Sequence, residues 1–449
     1  MPTPSHPAAR SPGSSSRTWA IALAAAMLGI SLFLVLTARS ARHGGTTGDF
    51  PIFYHAALGL ERGENIYNRA PEAGVDGTYL YPPSLAMLFV PLAKLGQAGC
   101  AWAWAWINAG MLLVVLLVGA REMHGRLTGP AEKDARLGWS TGATVLAVAL
   151  LGLVLTIGKV RSVIGGGQTD LLVVLGVLLG LVWCERRPAL SGAAIALACV
   201  IKYTPILFVG YLLVRGRWRA AAWSVAFLAV FAVLPALVCG WDQNLRLWGI
   251  ALGGVSRVFG SSVATETAAT VQDAAHPLSI SITSALTRAM LPTPGAGVAL
   301  LGAALVGLGL LGATWRMYAA RGFSLLRRPR GTALPALMAM EWAGVIVAML
   351  AFSPHTQGRH LVLLIVVNLF CAALLLAARP GRAALVALLL GQVAMNFPPT
   401  GMGMDGLVAG WRAIGGAGWC VALMWLGVAW AGLARARTLE SVPAIRQRG

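Results

Sequence analysis

The residues best able to do chemistry lie in a few polar stretches between long apolar runs. The first such stretch, Thr46-Thr47-Gly48-Asp49-Phe50, begins a few residues after an apolar run ends. A carboxylate so close to a membrane face is well placed to act as a general base toward a hydroxyl group carried by a lipid. The alternative is a solvated loop acid without a chemical role. Asp49 is therefore a candidate catalytic residue.

A second polar stretch, Ser353-Pro354-His355-Thr356-Gln357-Gly358-Arg359-His360, joins two strongly apolar runs. Two imidazoles and a guanidinium this close together suit an anionic phosphate. A polar connector between two helices is the simpler alternative. A metal site formed by His355, His360 and Asp49 is another, although the spacing of the histidines is not that of a pair on one helix face and no HExxH or CxxC motif accompanies them.

Lys202 interrupts the middle of the apolar stretch 189–214, within Lys202-Tyr203-Thr204-Pro205. A charge in an apolar segment is costly unless it is paired, which makes Lys202 a functional candidate, and the alternative is that its stem extends to the lipid headgroups. Both ends of the stretch are basic, which favours a half-depth hairpin with Lys202 at its tip. Asp170 and Glu341, also in or near apolar runs, are expected to pair with neighbouring arginines.

The run Gly165-Gly166-Gly167-Gln168 resembles a phosphate-binding loop only at first sight. It lacks the Lys-Ser/Thr of a Walker motif and follows an apolar span rather than a strand, so nucleotide binding is not expected. Glycines here predict a tight turn against bound lipid or sugar.

The composition identifies the elements that must position these residues. The chain is 57% hydrophobic and only 11% charged, whereas a soluble domain has about 25% charged residues. Apolar runs of roughly 20 residues, the length that spans a bilayer, recur along the chain. We therefore predict an all-α, polytopic integral membrane protein with about ten to twelve transmembrane or re-entrant helices. The predicted spans are 19–37, 101–120, 139–157, 169–184, 220–239, 296–313, 334–352, 361–378, 383–396 and 413–434.

One transmembrane domain accounts for nearly the whole chain. We place it at residues 19–434, between a cytoplasmic tail at 1–18 and a second cytoplasmic tail at 435–449. Ser84–Leu95 is apolar but too short to span, which favours an interfacial or re-entrant helix. The predicted outer loops are 38–83, 158–168, 240–295, 353–360 and 397–411.

The net charge of +19 is explained by topology. Most of the 35 Lys and Arg residues fall in segments assigned to the cytoplasm, which is the positive-inside pattern, whereas most acidic residues fall in the outer loops. The basic balance therefore does not indicate nucleic acid. The six cysteines lie in or beside apolar runs without CxxC spacing and are interpreted as small buried hydrophobic residues.

Several of these stretches, taken in order, resemble a known family. The pattern covers residues 48 to 360 and is similar to that of the bacterial polyprenol-phosphate-mannose-dependent mannosyltransferases, a group of GT-C glycosyltransferases that includes phosphatidylinositol-mannoside mannosyltransferase. The matching stretches are Asp49-Phe50-x-x-Phe53-Tyr54, Gly63-x-x-Ile66-Tyr67, Tyr81-Pro82-Pro83, Gly166-Gly167-Gln168, Ile201-Lys202-x-Thr204-Pro205, Leu278-Ser279 and Ser353-Pro354-His355.

The resemblance implies a GT-C fold and a reaction. A sugar, usually mannose, passes from a polyprenyl monophosphate donor to a hydroxyl of a glycolipid or glycan acceptor, with inversion, at the outer face of the bacterial plasma membrane. The acid after the first span, here Asp49, is implied to be the base. The family uses no nucleotide sugar and generally no catalytic metal, so neither a cofactor nor a metal is expected.

The partners expected are the lipid donor, the acceptor and membrane lipid. Donor phosphate would meet His355, Arg359, His360 and Lys202, and substrate would meet Tyr54, Tyr81 and Gln168. Two positions depart from the family pattern: Asp170 stands where asparagine is common, and Thr356–His360 replaces an aromatic residue and paired histidines. Which histidine contacts phosphate is therefore left open.

Two alternatives to a mannosyltransferase remain. A transporter or flippase of a lipid-linked sugar also has many spans with broken helices and charges within them, but it is expected to show internal repeats. The second alternative is the same fold acting on another polyprenyl-linked sugar, such as arabinose or glucose.

Overall fold

A computed structural model describes residues 48–128, 140–258, 274–290, 296–325, 333–377, 381–398 and 403–441. These residues form helices and connections without a named strand, and one isolated bridge joins Ser279 to Gln357. The predicted all-α, polytopic class is confirmed. The first predicted span, 19–37, and both predicted tails, apart from residues 435–441, lie outside the described residues.

The helices follow the apolar runs of the sequence. In chain order they are α1 (Phe50–Glu61), α2 (Arg69–Glu72), α3 (Pro83–Ala93), α4 (Gly96–Leu127), α5 (Thr141–Gly165), α6 (Asp170–Trp183), α7 (Pro188–Ile201), α8 (Ile206–Val214), α9 (Trp218–Val233), α10 (Ala236–Cys239), α11 (Trp241–Val258), α12 (Ile282–Ala289), α13 (Ala296–Ala319), α14 (Leu334–Phe352), a 3₁₀ helix (Gly358–Leu363), α15 (Leu364–Ala377), α16 (Arg382–Asn396), α17 (Asp405–Ala413) and α18 (Gly416–Ser441).

Seven of the described helical segments are long and apolar enough to cross a membrane. Shorter apolar helices, among them α3, α6, α7 and α16, complete the bundle. The chain is therefore a multi-pass membrane protein. The seven segments are Gly96–Leu127, Thr141–Gly165, Trp218–Cys239, Gly297–Ala319, Leu334–Phe352, Gly358–Leu376 and Gly416–Ser441.

The stretch 189–214, predicted as a half-depth hairpin, is divided between α7 and α8. Helix α7 starts with Pro188, whose missing N–H costs nothing in the first turn. Its last backbone bond runs from the Lys202 N–H to the Ala198 carbonyl, and the chain then breaks through Pro205 before α8 begins. Both helices are too short to span a bilayer alone. The break leaves Lys202 between two helix ends, as the sequence predicted.

Close helix packing depends on small residues, because lipid provides no hydrophobic drive for helices to associate. Gly176 on α6 illustrates this, since a Cβ atom there would lie 2.7 Å from the Ala194 carbonyl oxygen of α7. Helices α6 and α7 therefore pack backbone against backbone. This contact fixes the first residue of α6, Asp170, relative to the end of α7.

Glu341 pairs with Arg215, as predicted, in a buried cluster that joins α8, α13 and α14. The Arg215 Nε donates to Glu341 Oε2 over 2.8 Å, and the Tyr211 and Tyr318 hydroxyls donate to the same carboxylate over 2.9 and 2.6 Å. The charge is thus fully partnered. The prediction for Asp170 is wrong in one respect, because its partner is Lys202 and not an arginine.

The segments predicted as outer loops contain helices. Helix α5 continues to Gly165, which reduces the predicted loop 158–168 to the turn at 166–169. Loop 38–83 contains α1 and α2, loop 240–295 contains α11 and α12, and loop 397–411 contains most of α17. Charged residues are expected to show where the chain leaves the apolar core. Lysine and arginine are good helix formers, however, so Lys159 and Arg161 do not end α5.

Candidate functional site

The backbone around Asp49 rests on the glycine turn that follows α5. The Asp49 N–H donates to the Gly166 carbonyl oxygen over 3.2 Å. Gly167 has φ +62°, and a Cβ atom there would lie 2.6 Å from Phe50 Cβ. The sequence predicted a turn against lipid or sugar, whereas the turn packs against the protein's own Phe50. The glycines therefore fix the position of Asp49.

Asp49 is paired with Arg359 across the molecule. The Arg359 Nη1 donates to Asp49 Oδ2 over 2.8 Å, and both side chains are half-buried. Arg359 lies on the 3₁₀ helix between α14 and α15. Two polar stretches that are far apart in sequence, the one at Asp49 and the one at 353–360, therefore meet in one place.

The 3₁₀ helix also fixes the ring of His360. The Gln357 N–H donates to His360 Nδ1 over 3.2 Å. A ring nitrogen that accepts a hydrogen bond carries no proton, so the proton of the neutral ring lies on Nε2. His360 can therefore offer an Nε2–H donor to an anion.

Lys202 and Asp170 form a second ion pair beside the first. Asp170 is the first residue of α6 and is fully buried. Arg359 interacts electrostatically with both Asp49 and Asp170, and Lys202 interacts with the same two acids. These four residues form what we call the four-charge cluster, in which two cations alternate with two carboxylates. Such an arrangement offsets part of the cost of burying each charge.

A cavity of about 240 Å³ opens beside this cluster. Lys202, His355, Arg359 and His360 all line it, whereas no Asp or Glu does among the described residues. The remaining wall is mostly apolar or aromatic, and Thr204, Ser353 and Thr356 also contribute to it. This wall comprises Tyr67, Tyr79, Tyr81, Tyr203, Val173, Ile201, Ile250, Ala251, Val255, Met349, Leu350 and Leu363, among others. The cavity is therefore suited to an anionic group attached to a less polar one.

Three tyrosines of the cavity wall are held in place by hydrogen bonds and ring contacts. The Tyr79 hydroxyl donates to the Pro82 carbonyl over 2.7 Å, and the Tyr67 hydroxyl donates to the Leu247 carbonyl over 3.2 Å. Tyr81 packs edge-on against Phe53 with ring centroids 5.2 Å apart. Burial raises the pKa of all three phenols, so each hydroxyl is a neutral donor.

The structure brings together most of the residues singled out in the sequence. Lys202, His355, Arg359, His360 and Tyr81 line the cavity, whereas Asp49 does not line it but is paired with Arg359. Tyr54 and Gln168 do not line it. Tyr54 packs against His55, with ring centroids 5.3 Å apart, and Gln168 is buried in the glycine turn. Their substrate contacts stay predictions.

Sequence reasoning missed the contribution of Tyr67, Tyr79 and helix α11. Tyr79 belongs to the stretch Tyr79-Leu80-Tyr81-Pro82-Pro83, whose aromatic residues and prolines are a signal that the sequence does contain. Helix α11 supplies Ile250, Ala251 and Val255, and nothing in these apolar residue types marks them as cavity residues.

In the metal alternative formed by Asp49, His355 and His360, two of the candidate ligand atoms already accept hydrogen bonds. Asp49 Oδ2 accepts from Arg359, and His360 Nδ1 accepts from Gln357. Across the described ranges, no three His, Cys, Asp or Glu side chains are grouped so that they could hold a metal ion.

Comparison with known proteins gives a family and several distant relatives. The model of glycosyltransferase family 87 matches residues 79–354. An alpha-(1->3)-arabinofuranosyltransferase of Corynebacterium glutamicum is 28% identical over 207 residues, which is 45% of each chain. A polyprenol-phosphate-mannose-dependent alpha-(1-2)-phosphatidylinositol mannoside mannosyltransferase of Mycobacterium tuberculosis is 26% identical over 43% of this chain and 44% of its own.

A third relative, the Mycobacterium tuberculosis polyprenol-phosphate-mannose-dependent alpha-(1-2)-phosphatidylinositol pentamannoside mannosyltransferase, is 26% identical over 49% of this chain and 48% of its own. The chain thus spans about half the length of the curated relatives it matches. No solved structure matches it.

Proposed function

This chain belongs to glycosyltransferase family 87, and on that premise we propose that it moves a sugar from a polyprenyl monophosphate donor to a hydroxyl of a glycolipid or glycan acceptor. The observation that carries the proposal is a cavity lined by Lys202, Arg359 and two histidines, with no carboxylate from the described part of the chain, beside the Asp49 carboxylate. A phosphate fits the cationic wall, and a base is needed at the acceptor hydroxyl.

The proposed chemical step is a single inverting displacement. The acceptor oxygen forms a bond to the anomeric carbon, and the bond from that carbon to the phosphate oxygen breaks. The phosphate leaves with the electron pair, and Asp49 takes the proton of the acceptor hydroxyl. A positioned base of this kind contributes roughly 10²- to 10⁴-fold to a rate.

The departing phosphate gains negative charge in this step, and the cavity wall supplies the groups that stabilise it. The Lys202 ammonium, the Arg359 guanidinium and the His360 Nε2–H are the proposed donors, and His355 lines the same cavity. Donors fixed in advance are worth more than mobile ones, because they need no reorganisation during the reaction. The ion pairs and the Gln357 hydrogen bond provide that fixation.

Arg359 connects the two parts of the mechanism. It holds Asp49 Oδ2 at 2.8 Å and also lines the cavity. Donor phosphate at the cavity wall would compete with Asp49 for the guanidinium. We therefore expect donor binding to weaken the Asp49–Arg359 pair and to free the carboxylate for the acceptor hydroxyl.

Mannose is the sugar that we propose first, because two of the three relatives above are named as mannosyltransferases dependent on polyprenol-phosphate-mannose. Arabinofuranose is the alternative, because the other is named as an arabinofuranosyltransferase. We place the reaction at the extracytoplasmic face of the bacterial plasma membrane, on the support of the positive-inside distribution of Lys and Arg.

The decisive experiment incubates purified protein with radiolabelled polyprenyl-phosphate-mannose and membrane extract. We expect label in an acceptor with the native chain and none with Asp49→Asn. Competing polyprenyl-linked arabinose and glucose donors identify the sugar, and undiminished transfer in EDTA is expected for a mechanism without metal. Movement of the lipid across liposomes without transfer of label would instead indicate a flippase and overturn the proposal.

A further inference from the structure

Helix α11 carries three distinct faces along its described side chains. One face is buried and includes Asn244, Leu247, Ile250 and Ala251. Ile250 and Ala251 on that face also line the cavity. Since residues three or four apart share a helix face, this stripe is the one through which α11 packs on the protein.

A second face of α11 is apolar but exposed. Trp241, Leu245 and Leu252 lie within about 40° of one another around a helix of 3.6 residues per turn. Their exposed fractions are 53%, 52% and 56%. A third face carries Asp242, Arg246 and Gly249, which are also exposed. The helix therefore has separate apolar and polar surfaces outside its contact with the protein.

The exposed apolar face of α11 continues the apolar surface of a membrane-spanning segment. Trp218–Cys239 is apolar enough to cross a membrane, and Leu237, in its last turn, is 82% exposed. Gly240, with φ +82°, then turns the chain into Trp241. The Asn244 and Trp248 side chains donate to the Ala232 carbonyl over 3.0 and 2.9 Å, which fixes α11 against that end of the span.

We propose that α11 lies in the membrane interface, with Trp241, Leu245 and Leu252 in lipid and Asp242, Arg246 and Gly249 in water. Tryptophan and leucine on one side and polar residues on the other are typical of an interfacial helix. The bilayer is the occupant that fits, because the adjoining span must itself be surrounded by lipid.

The position of α11 also affects how a lipid-linked substrate reaches the cavity. This second inference rests on the proposed function. The same helix faces the cavity with Ile250 and Ala251 and faces lipid with Leu252. A lipid-linked substrate can therefore reach the cavity along α11 without leaving the bilayer. On this view α11 contributes to the use of donors with long lipid chains.

The placement itself is tested with spin labels in nanodiscs. Five of the six native cysteines are buried, so replacing Cys239 with Ala confines labelling to an introduced cysteine. We compare Leu252→Cys with the matched control Gly249→Cys on the polar face. Accessibility to oxygen relative to a water-soluble nickel chelate should be several-fold higher at 252 than at 249.

An equal or reversed ratio at the two positions would refute the membrane placement. Protection of position 252 from both reagents would also refute it and would indicate contact with a second protein copy. These outcomes do not depend on any enzymatic activity, so they are distinguishable from failure of the proposed function.

The consequence is tested with donors of different chain length. Leu252→Glu should raise the KM for a long-chain polyprenyl donor on the order of tenfold and leave that for a short-chain donor unchanged, whereas Arg246→Glu should change neither. An equal effect of Leu252→Glu on both donors would show that α11 does not guide the lipid chain.

Discussion

The carboxylate of Asp49 lies 2.8 Å from the guanidinium of Arg359, although 310 positions separate the two residues in the chain. The pair joins the end of the first polar stretch to the 3₁₀ helix between α14 and α15. It places the proposed base beside the proposed phosphate site, and each of its partners can be tested separately.

Asp49→Asn is expected to abolish transfer while the protein still folds and binds donor. Asparagine retains an oxygen that can accept from Arg359 but cannot take a proton from the acceptor, so the rate should fall by roughly 10²- to 10⁴-fold. Transfer rates and donor binding are measured in parallel. Asp405→Asn, which changes an exposed acid on α17, is the control and should be neutral. Near-normal rates for Asp49→Asn would remove Asp49 as the base.

Arg359→Ala is expected to weaken donor use more strongly than Arg359→Lys. Lysine keeps the positive charge but loses the planar fork that can hold a carboxylate and a phosphate together. Removing a fixed hydrogen-bond donor that stabilises the negative charge developing on the phosphate costs roughly 10²- to 10³-fold in rate. Arg437→Ala, an exposed arginine on α18, serves as the control. Equal activity of the lysine variant and the native chain would show that charge alone matters.

Of the two histidines, His360 is expected to matter more than His355. The Gln357 N–H fixes the His360 ring so that Nε2–H is a preset donor. His360→Ala should therefore raise the donor KM more than His355→Ala, and His360→Asn should recover part of the loss, because its amide can both accept from the backbone and donate. Initial rates over a donor series measure the effect. The reverse order would assign the phosphate contact to His355.

Asp170→Asn is expected to destabilise the protein strongly, because it removes the carboxylate with which the Lys202 ammonium forms its ion pair. Breaking a buried pair costs about 3–5 kcal/mol, whereas removing both partners is often close to neutral. The double variant Asp170→Asn with Lys202→Met should therefore recover thermal stability in detergent but not transfer. Recovery of both would make the pair purely structural.

The Arg215–Glu341 pair provides the matched comparison for this test. It is likewise buried, but it lies outside the cavity lining. Glu341→Gln should lower the melting temperature while the kcat of the folded fraction stays unchanged.

Gly167→Ala is expected to displace Asp49 without touching it. The backbone at Gly167 is left-handed, which costs an L-residue about 1–2 kcal/mol. The added Cβ would also press on Phe50. A shift of 1 Å in a catalytic group can cost on the order of 10²-fold in rate. Gly165→Ala, where a Cβ meets nothing within 4 Å, is the control. Equal rates for the two variants would contradict a role for this turn in positioning Asp49.

Much of the helical framework was predictable from residue order alone. Apolar runs predicted the spans because lipid offers backbone groups no partner and requires helices that satisfy their own hydrogen bonds. Pro205 and Lys202 predicted the break between α7 and α8, because proline lacks a backbone N–H and a charge is costly within an apolar segment. The glycine run predicted a tight turn, since only glycine adopts positive φ freely.

The tertiary structure alone decided which polar residues meet. Hydropathy states that a helix is apolar but not which helix it packs against, so the partners of Asp49 and Asp170 could not be derived from it. The sequence therefore assigned Asp170 to an arginine, whereas the packing of α6 against α7 gave it Lys202. The cavity wall formed by α11 was hidden for the same reason, because its side chains acquire their role only through contacts distant in sequence.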